Sequence, residues 1–156
     1  MSEYPPPPPP APPPTDPYGN IPAGHYFDPV SGMVLPNGTQ LASAERRIWS
    51  FFLAIPLAIV TLFIGYVIWG LIVWSRGQTP TQQVLGMRCW RPQTGQVATW
   101  DTMALRGIVG PVAEHFLGPI TWIVSFVMFL MTPQRKALHD LIAGTVVLSD
   151  PGKVLG

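Results

Sequence analysis

Arg135, Lys136, His139 and Asp140 crowd into one short stretch near the C-terminal end of a 156-residue chain. On a helix, this spacing puts Arg135 with His139 and Lys136 with Asp140 on shared faces. Basic groups beside a histidine suit an anion or a lipid headgroup, and an imidazole that titrates near neutral pH could make the cluster a pH-sensitive latch. The plainer role is topological: basic residues at a cytoplasmic helix end fix orientation, and an aspartate just before Leu141-Ile142-Ala143-Gly144 ties down the return of the chain. Glu114 and His115 form the one ionisable pair inside an apolar stretch. Deep in lipid such a carboxylate would be costly and hence a candidate for proton or cation passage. The Gly110-Pro111 and Gly118-Pro119 breaks on either side instead favour a place at the water boundary.

Other chemistries find little support. His139-Asp140 has the look of an HD-type metal pair, yet that site needs further histidines and aspartates from other helices, and the chain has only His25, His115 and His139. No nucleophile elbow, phosphate-binding glycine loop or zinc signature occurs. An enzyme is therefore not expected, and no cofactor or metal is. A net charge of +1 without a basic cluster excludes a nucleic-acid surface. The single cysteine, Cys89, rules out an intrachain disulfide and reads as a small apolar residue.

The elements that must position these residues are dominated by two apolar blocks. No charge lies between Arg47 and Arg76, and residues 48–74 would make about 40 Å of straight helix, more than one crossing of an about 30 Å hydrocarbon core requires. The block must tilt, kink or turn back, and Pro56 and residues 61–65 are the least costly places. The second block, residues 107–132, is interrupted by its two Gly-Pro pairs. Every flank carries positive charge: Arg46 and Arg47 before, Arg76, Arg88, Arg91 and Arg106 between, Arg135, Lys136 and Lys153 after. Charge thus favours hairpin-like blocks with all flanks cytoplasmic, whereas half-blocks are short for a full crossing. Trp69, Trp74, Trp90, Trp100 and Trp122 suit the membrane–water interface.

Around these blocks, residues 1–20 hold a proline run expected to be a disordered polyproline II arm. Residues 21–43 are a turn-rich linker that could hold a hairpin across Ser31-Gly32. Ser43 is a candidate N-cap for the first block. Between the blocks, residues 84–90 read as a strand and 92–95 as a turn, forming a small polar hairpin at the membrane surface. Asp101 or Thr102 could then cap an interfacial helix carrying Leu105, Ile108, Val109 and Val112, with Arg106 among its polar residues.

The string Arg76-Gly77-Gln78-Thr79-Pro80, running on through Val84-Leu85-Gly86-Met87-Arg88, and the later string from Arg135 through Ala143-Gly144-Thr145-Val146-Val147 are distinctive together. They resemble the RDD family of small integral membrane proteins, and the likeness covers about residues 41–150. The whole chain is similar to actinobacterial members with a proline-rich N-terminal tail. The resemblance implies helical transmembrane segments and a cell-membrane location. The family's arginine falls at Arg46 or Arg47, and its later aspartate at Asp140. Two positions where the family carries acids are Ala54 and Ser125 here, which weakens the ion or solute transport proposed for some members.

These readings combine into an all-α membrane protein: two hydrophobic helical blocks making two to four spans or re-entrant helices, a small polar hairpin between them, and a disordered proline-rich tail. Residues 44–150 are the RDD-like module and 151–156 a C-terminal tail. The expected role is a non-catalytic accessory, interaction or anchoring module in the plasma membrane, multi-pass, with a cytoplasmic N-terminal tail. Its expected partners are the lipid bilayer and either another protein or further copies of itself, contacted through the tail or residues 78–100. The competing expectation is a small oligomeric transporter or antiporter with Arg46 or Arg47, Glu114, His115 and Asp140 along its path.

Overall fold

The computed structural model describes residues 21–156. The expected proline-rich arm at 1–20 lies outside the described residues. The chain is not all-α. Two antiparallel sheets are present, one of β1 (His25–Asp28) and β2 (Met33–Pro36), the other in the order β3-β6-β4-β5 from β3 (Gln40–Leu41), β4 (Met87–Arg91), β5 (Gln96–Val97) and β6 (Val146–Ser149). The polar hairpin expected between the blocks is part of the larger sheet, with β5 at its edge. The turn at 92–95 is there, but β4 pairs along its length with β6, from Met87 opposite Ser149 to Trp90 opposite Val146.

Alternation along these strands builds two cores, because successive side chains leave opposite faces of a strand. Met87, Cys89 and Val147 point to one face and pack with Ala42, Ala98 and Met103 beneath the helices. Trp90, Val146 and Leu148 point to the other and pack with Met33 and Leu35 of the β1-β2 hairpin. Trp90, 4 % exposed, is thus a core residue and not an interfacial anchor.

The helices form two hairpins that leave the sheet and return to it. The first consists of α1 (Ala44–Val60) and α2 (Ile64–Val73). Ser43 caps α1 by accepting from Arg46 N, and Ala42 N donates to Val147 O on the sheet. Leu62 and Phe63 both take left-handed backbone angles at the reversal (φ 55° and 57°). A short 3₁₀ turn, Trp74–Arg76, brings the chain back to where Cys89 N donates to Gly77 O.

The RDD-like string follows as architecture. Gly77 is left-handed (φ +64°), and a Cβ there would lie 2.5 Å from Val97 Cγ1 and 2.9 Å from Ala98 O. Gln78 Nε2 donates to Met87 O, and Thr79 and Gln82 close a reciprocal cap on α3 (Pro80–Val84) with Pro80 in its first turn. Thr81 of α3 accepts from Ser50 of α1, and Trp69 of α2 donates to Gln83.

The second hairpin begins with α4 (Trp100–Ala104), capped at Thr99 and not at Asp101 or Thr102, continues as a π turn over Leu105–Val109, and then runs through α5 (Gly110–Phe116) and α6 (Pro119–Met131). Gly118 (φ +88°) makes the reversal. The short α7 (Leu138–Ile142) leads into β6.

Among the described residues no helix is long and apolar enough to cross a membrane, which overturns the expected two to four spans. The reason is local. The 17 residues of α1 rise about 25 Å, short of an about 30 Å core, and its first turn carries Glu45, Arg46 and Arg47. The positive-φ pair at 62–63 then breaks the helix within the apolar run, as Gly118 does in the second block.

Candidate functional site

Asp140 is the centre of the densest polar cluster and is fully buried. Its Oδ2 accepts from an Nη of Arg47 and, at 3.1 Å, from Ala137 N; its Oδ1 accepts from Arg106 Nε at 2.7 Å. Burial alone would raise this carboxyl, but Arg106, Arg47 and the neighbouring His139 hold it well below the usual carboxylate range. Arg47 also donates to Arg135 O and lies 4.9 Å from the Phe129 ring centre, so its guanidinium is fixed on three sides. The partners come from α1, the π turn and α7, and one carboxylate therefore ties together both helical hairpins and the strand that follows.

Beside it sits a second carboxylate. Glu114 is buried, not held at the water boundary by its Gly-Pro flanks. Its Oε1 accepts from Ser125 Oγ at 3.0 Å, from His139 N at 3.2 Å and from His139 Nδ1 at 3.2 Å. A carboxylate only accepts, so the neutral imidazole carries its proton on Nδ1. Burial, then Arg106 and Arg47, depress the His139 pKa against the pull of Asp140 and Glu114. The close approach of α5 to α7 depends on Gly110, where a Cβ would meet His139 Cβ at 2.5 Å.

The structure brings together Arg47, Glu114, His139 and Asp140 and separates the other candidates. His115 is exposed and makes no contact with the cluster. Arg46 is exposed and donates to Ser149 Oγ, so of the two candidate arginines it is Arg47 that meets Asp140. Arg135 and Lys136 precede α7 and do not share a helical face with His139 and Asp140; Arg135 has φ 50° and donates to Ala42 O. In the family string, Arg76 is exposed while its carbonyl accepts from Arg88 Nη1, Gly86 (φ +62°) accepts at its carbonyl from Asp150 N, Gly144 is left-handed (φ +63°), and Thr145 N donates to Asp140 O. Among the described residues, no three His, Cys, Asp or Glu side chains gather as metal ligands.

Arg106 is the residue sequence reasoning undervalued, as one polar position on an interfacial helix. The available signal was a lone basic side chain between Leu105 and Ile108-Val109, which a membrane-facing segment does not keep without a buried partner.

A cavity of about 590 Å³ opens over this network. Arg47, Arg106, Glu114 and His139 form its polar side, and Phe52, Trp122, Phe126 and Phe129 stand among its apolar walls. Ala54 and Ser125, the two positions where the resemblance implies acids, both line it.

The RDD family model matches residues 29–144, three quarters of the chain. The chain belongs to the RDD family. No curated protein and no solved structure matched the chain. The matched span of this RDD chain takes in both helical hairpins, β4 and the whole Arg47–Asp140–Arg106 cluster.

Proposed function

We propose that this RDD chain is a membrane-attached, non-catalytic accessory module, its apolar helices resting among acyl chains and its sheet end in water. The carrying observation is the helical surface. Large apolar side chains stand exposed along α1, α2, α5 and α6, and most of all at the two reversals, with Leu62 at 82 % and Phe116 at 84 %. Such a continuous apolar surface far exceeds the few hundred Å² that a protein leaves facing water and fits contact with lipid. The positive flanks and the membrane association expected of the family point the same way.

Against catalysis, the strongest polar groups hold one another. Asp140 is sealed by two arginines, and burial raises the Cys89 thiol, which suppresses the thiolate a nucleophile needs. Against a transport path through the expected residues, His115 is exposed and does not line the cavity, and Asp140 is closed off. Residues 78–100 carry α3 and β4 and are not a loop free for a partner, so the N-terminal tail is the segment proposed to contact one.

Carbonate washing and ultracentrifugation test the attachment: the protein should stay with the pellet and leave it only with detergent, and recovery in the supernatant would refute the proposal. For the accessory role, mild-detergent purification should retain a stoichiometric partner that is lost when residues 1–20 are deleted. Ion flux in proteoliposomes that disappears in Glu114→Gln would replace this reading with a transporter.

A further inference from the structure

Two groups that the ionic network leaves over face the cavity. Every hydrogen bond accepted by Glu114 falls on Oε1, so Oε2 has no donor among the described residues. Arg106 gives only Nε to Asp140, and its two terminal nitrogens have no acceptor among the described residues. Neither Glu114 Oε2 nor those nitrogens are sealed-in unpartnered atoms, so they reach open space, and both residues line the cavity while being only 9 % exposed. A guanidinium fork and a carboxylate oxygen, on residues each nine-tenths buried, thus look into one chamber.

The charge balance narrows the ligand. Arg47 and Arg106 are matched by Asp140 and Glu114, and the depressed His139 adds nothing, so a ligand of net charge would bring an uncompensated charge into a poorly hydrated place. A zwitterion brings none. The planar fork suits two phosphate oxygens, and a carboxylate oxygen suits a primary ammonium. The cavity's about 590 Å³ lies within the roughly 300–1,000 Å³ of small-molecule sites. Its aromatic walls lead outward: Phe52, Trp122 and Phe126 are each more than half exposed and join the apolar helical surface.

We propose that the cavity binds a zwitterionic phospholipid bearing a primary amine, with phosphate on Arg106, ammonium on Glu114 Oε2, and acyl chains leaving past Phe52, Trp122 and Phe126. The lipid source rests on the membrane reading above, whereas the headgroup assignment rests on the cavity alone.

The test is native mass spectrometry of the full chain in mild detergent, with short-chain phosphatidylethanolamine, phosphatidylcholine and phosphatidylglycerol competing at equal concentration. Phosphatidylethanolamine should be retained about tenfold over both others, the size expected for one charge-assisted hydrogen bond. Glu114→Gln should bring it level with phosphatidylglycerol, and Phe126→Ala, at an exposed position, should weaken all lipid binding without lowering the unfolding temperature. Phosphatidylglycerol bound as tightly as phosphatidylethanolamine in the parent protein, or no lipid bound at all, would overturn the proposal. Phosphoethanolamine without chains binding as tightly as the lipid would overturn the lipid assignment in favour of a soluble ligand. The readout is taken in detergent, so a negative result here leaves the carbonate experiment standing, and the reverse.

Discussion

Asp140 and Asp150 are both sealed from solvent and both face an arginine, yet they are held by different means. The Asp150 carboxylate accepts from Val154 N at 2.8 Å and Leu155 N at 3.2 Å, with Arg88 Nε at 3.4 Å. Asp140 has one nearby backbone donor, Ala137 N at 3.1 Å, and otherwise relies on Arg47 and Arg106 from distant elements. The first arrangement folds a turn from chain neighbours, and Arg88 has other outlets in the carbonyls of Arg76 and Leu155. The second exists only once α1, the π turn and α7 have met. Nearby backbone donors stabilise a segment, whereas remote arginines report on the assembled whole, and only the remote pair has guanidinium nitrogens left to face a cavity.

The comparison is sharpest under neutralisation. Asp140→Asn should cost about 3–5 kcal/mol, because it leaves two buried arginines without their counter-charge. Denaturant unfolding in detergent reads this directly, and a loss below about 1 kcal/mol would mean that the clasp does not hold the hairpins. Gly110→Ala should cost about 1–3 kcal/mol by driving a methyl into His139 Cβ, and it should disturb the Glu114–His139 contact before the sheet, visible as early hydrogen exchange at His139 N. Asp150→Asn should cost less than Asp140→Asn, about 1–2 kcal/mol, since the amide oxygen can still accept from Val154 N or Leu155 N. Equal losses at the two aspartates would erase the distinction.

A smaller effect should be a pH dependence on the Asp140 side. His139 is depressed in the folded state, so the unfolded chain takes up that proton first as pH falls. Stability is therefore complete above the imidazole's ordinary 6.5 and declines below it until the folded imidazole also protonates. Asp140, also depressed, adds a second decline as pH passes below its ordinary 3.8. The unfolding temperature of His139→Gln should lose the first decline and keep the second.

Much of this was legible where a single residue type forces the outcome. Ser43 reads as a helix cap and is one, and the region 61–65 reads as the cheapest place to reverse and does so. The RDD strings singled out Asp140 and, as alternatives, Arg46 or Arg47, but not their contact. Of the larger sheet only β4 and the turn after it were legible, because β3 and β5 are two residues each and carry no alternation, and because β6, buried on both faces, shows a continuous apolar run that suits a helix equally well. Glu114 was misplaced for a related reason: the Gly-Pro pairs beside it marked breaks, but only the packing of Ser125 and His139 decides which way a side chain between two breaks will turn.

The place of β6 in its sheet has a consequence for synthesis. It lies between β3 and β4, so until Ser149 leaves the ribosome those two strands have no common neighbour, while both apolar hairpins are already out. The sheet edges of the nascent chain must therefore be sheltered through most of translation, by a chaperone, and are covered only when the last strand slots in. A stalled chain lacking residues 145–156 should be captured by such a holder, and extension through Ser149 should release it.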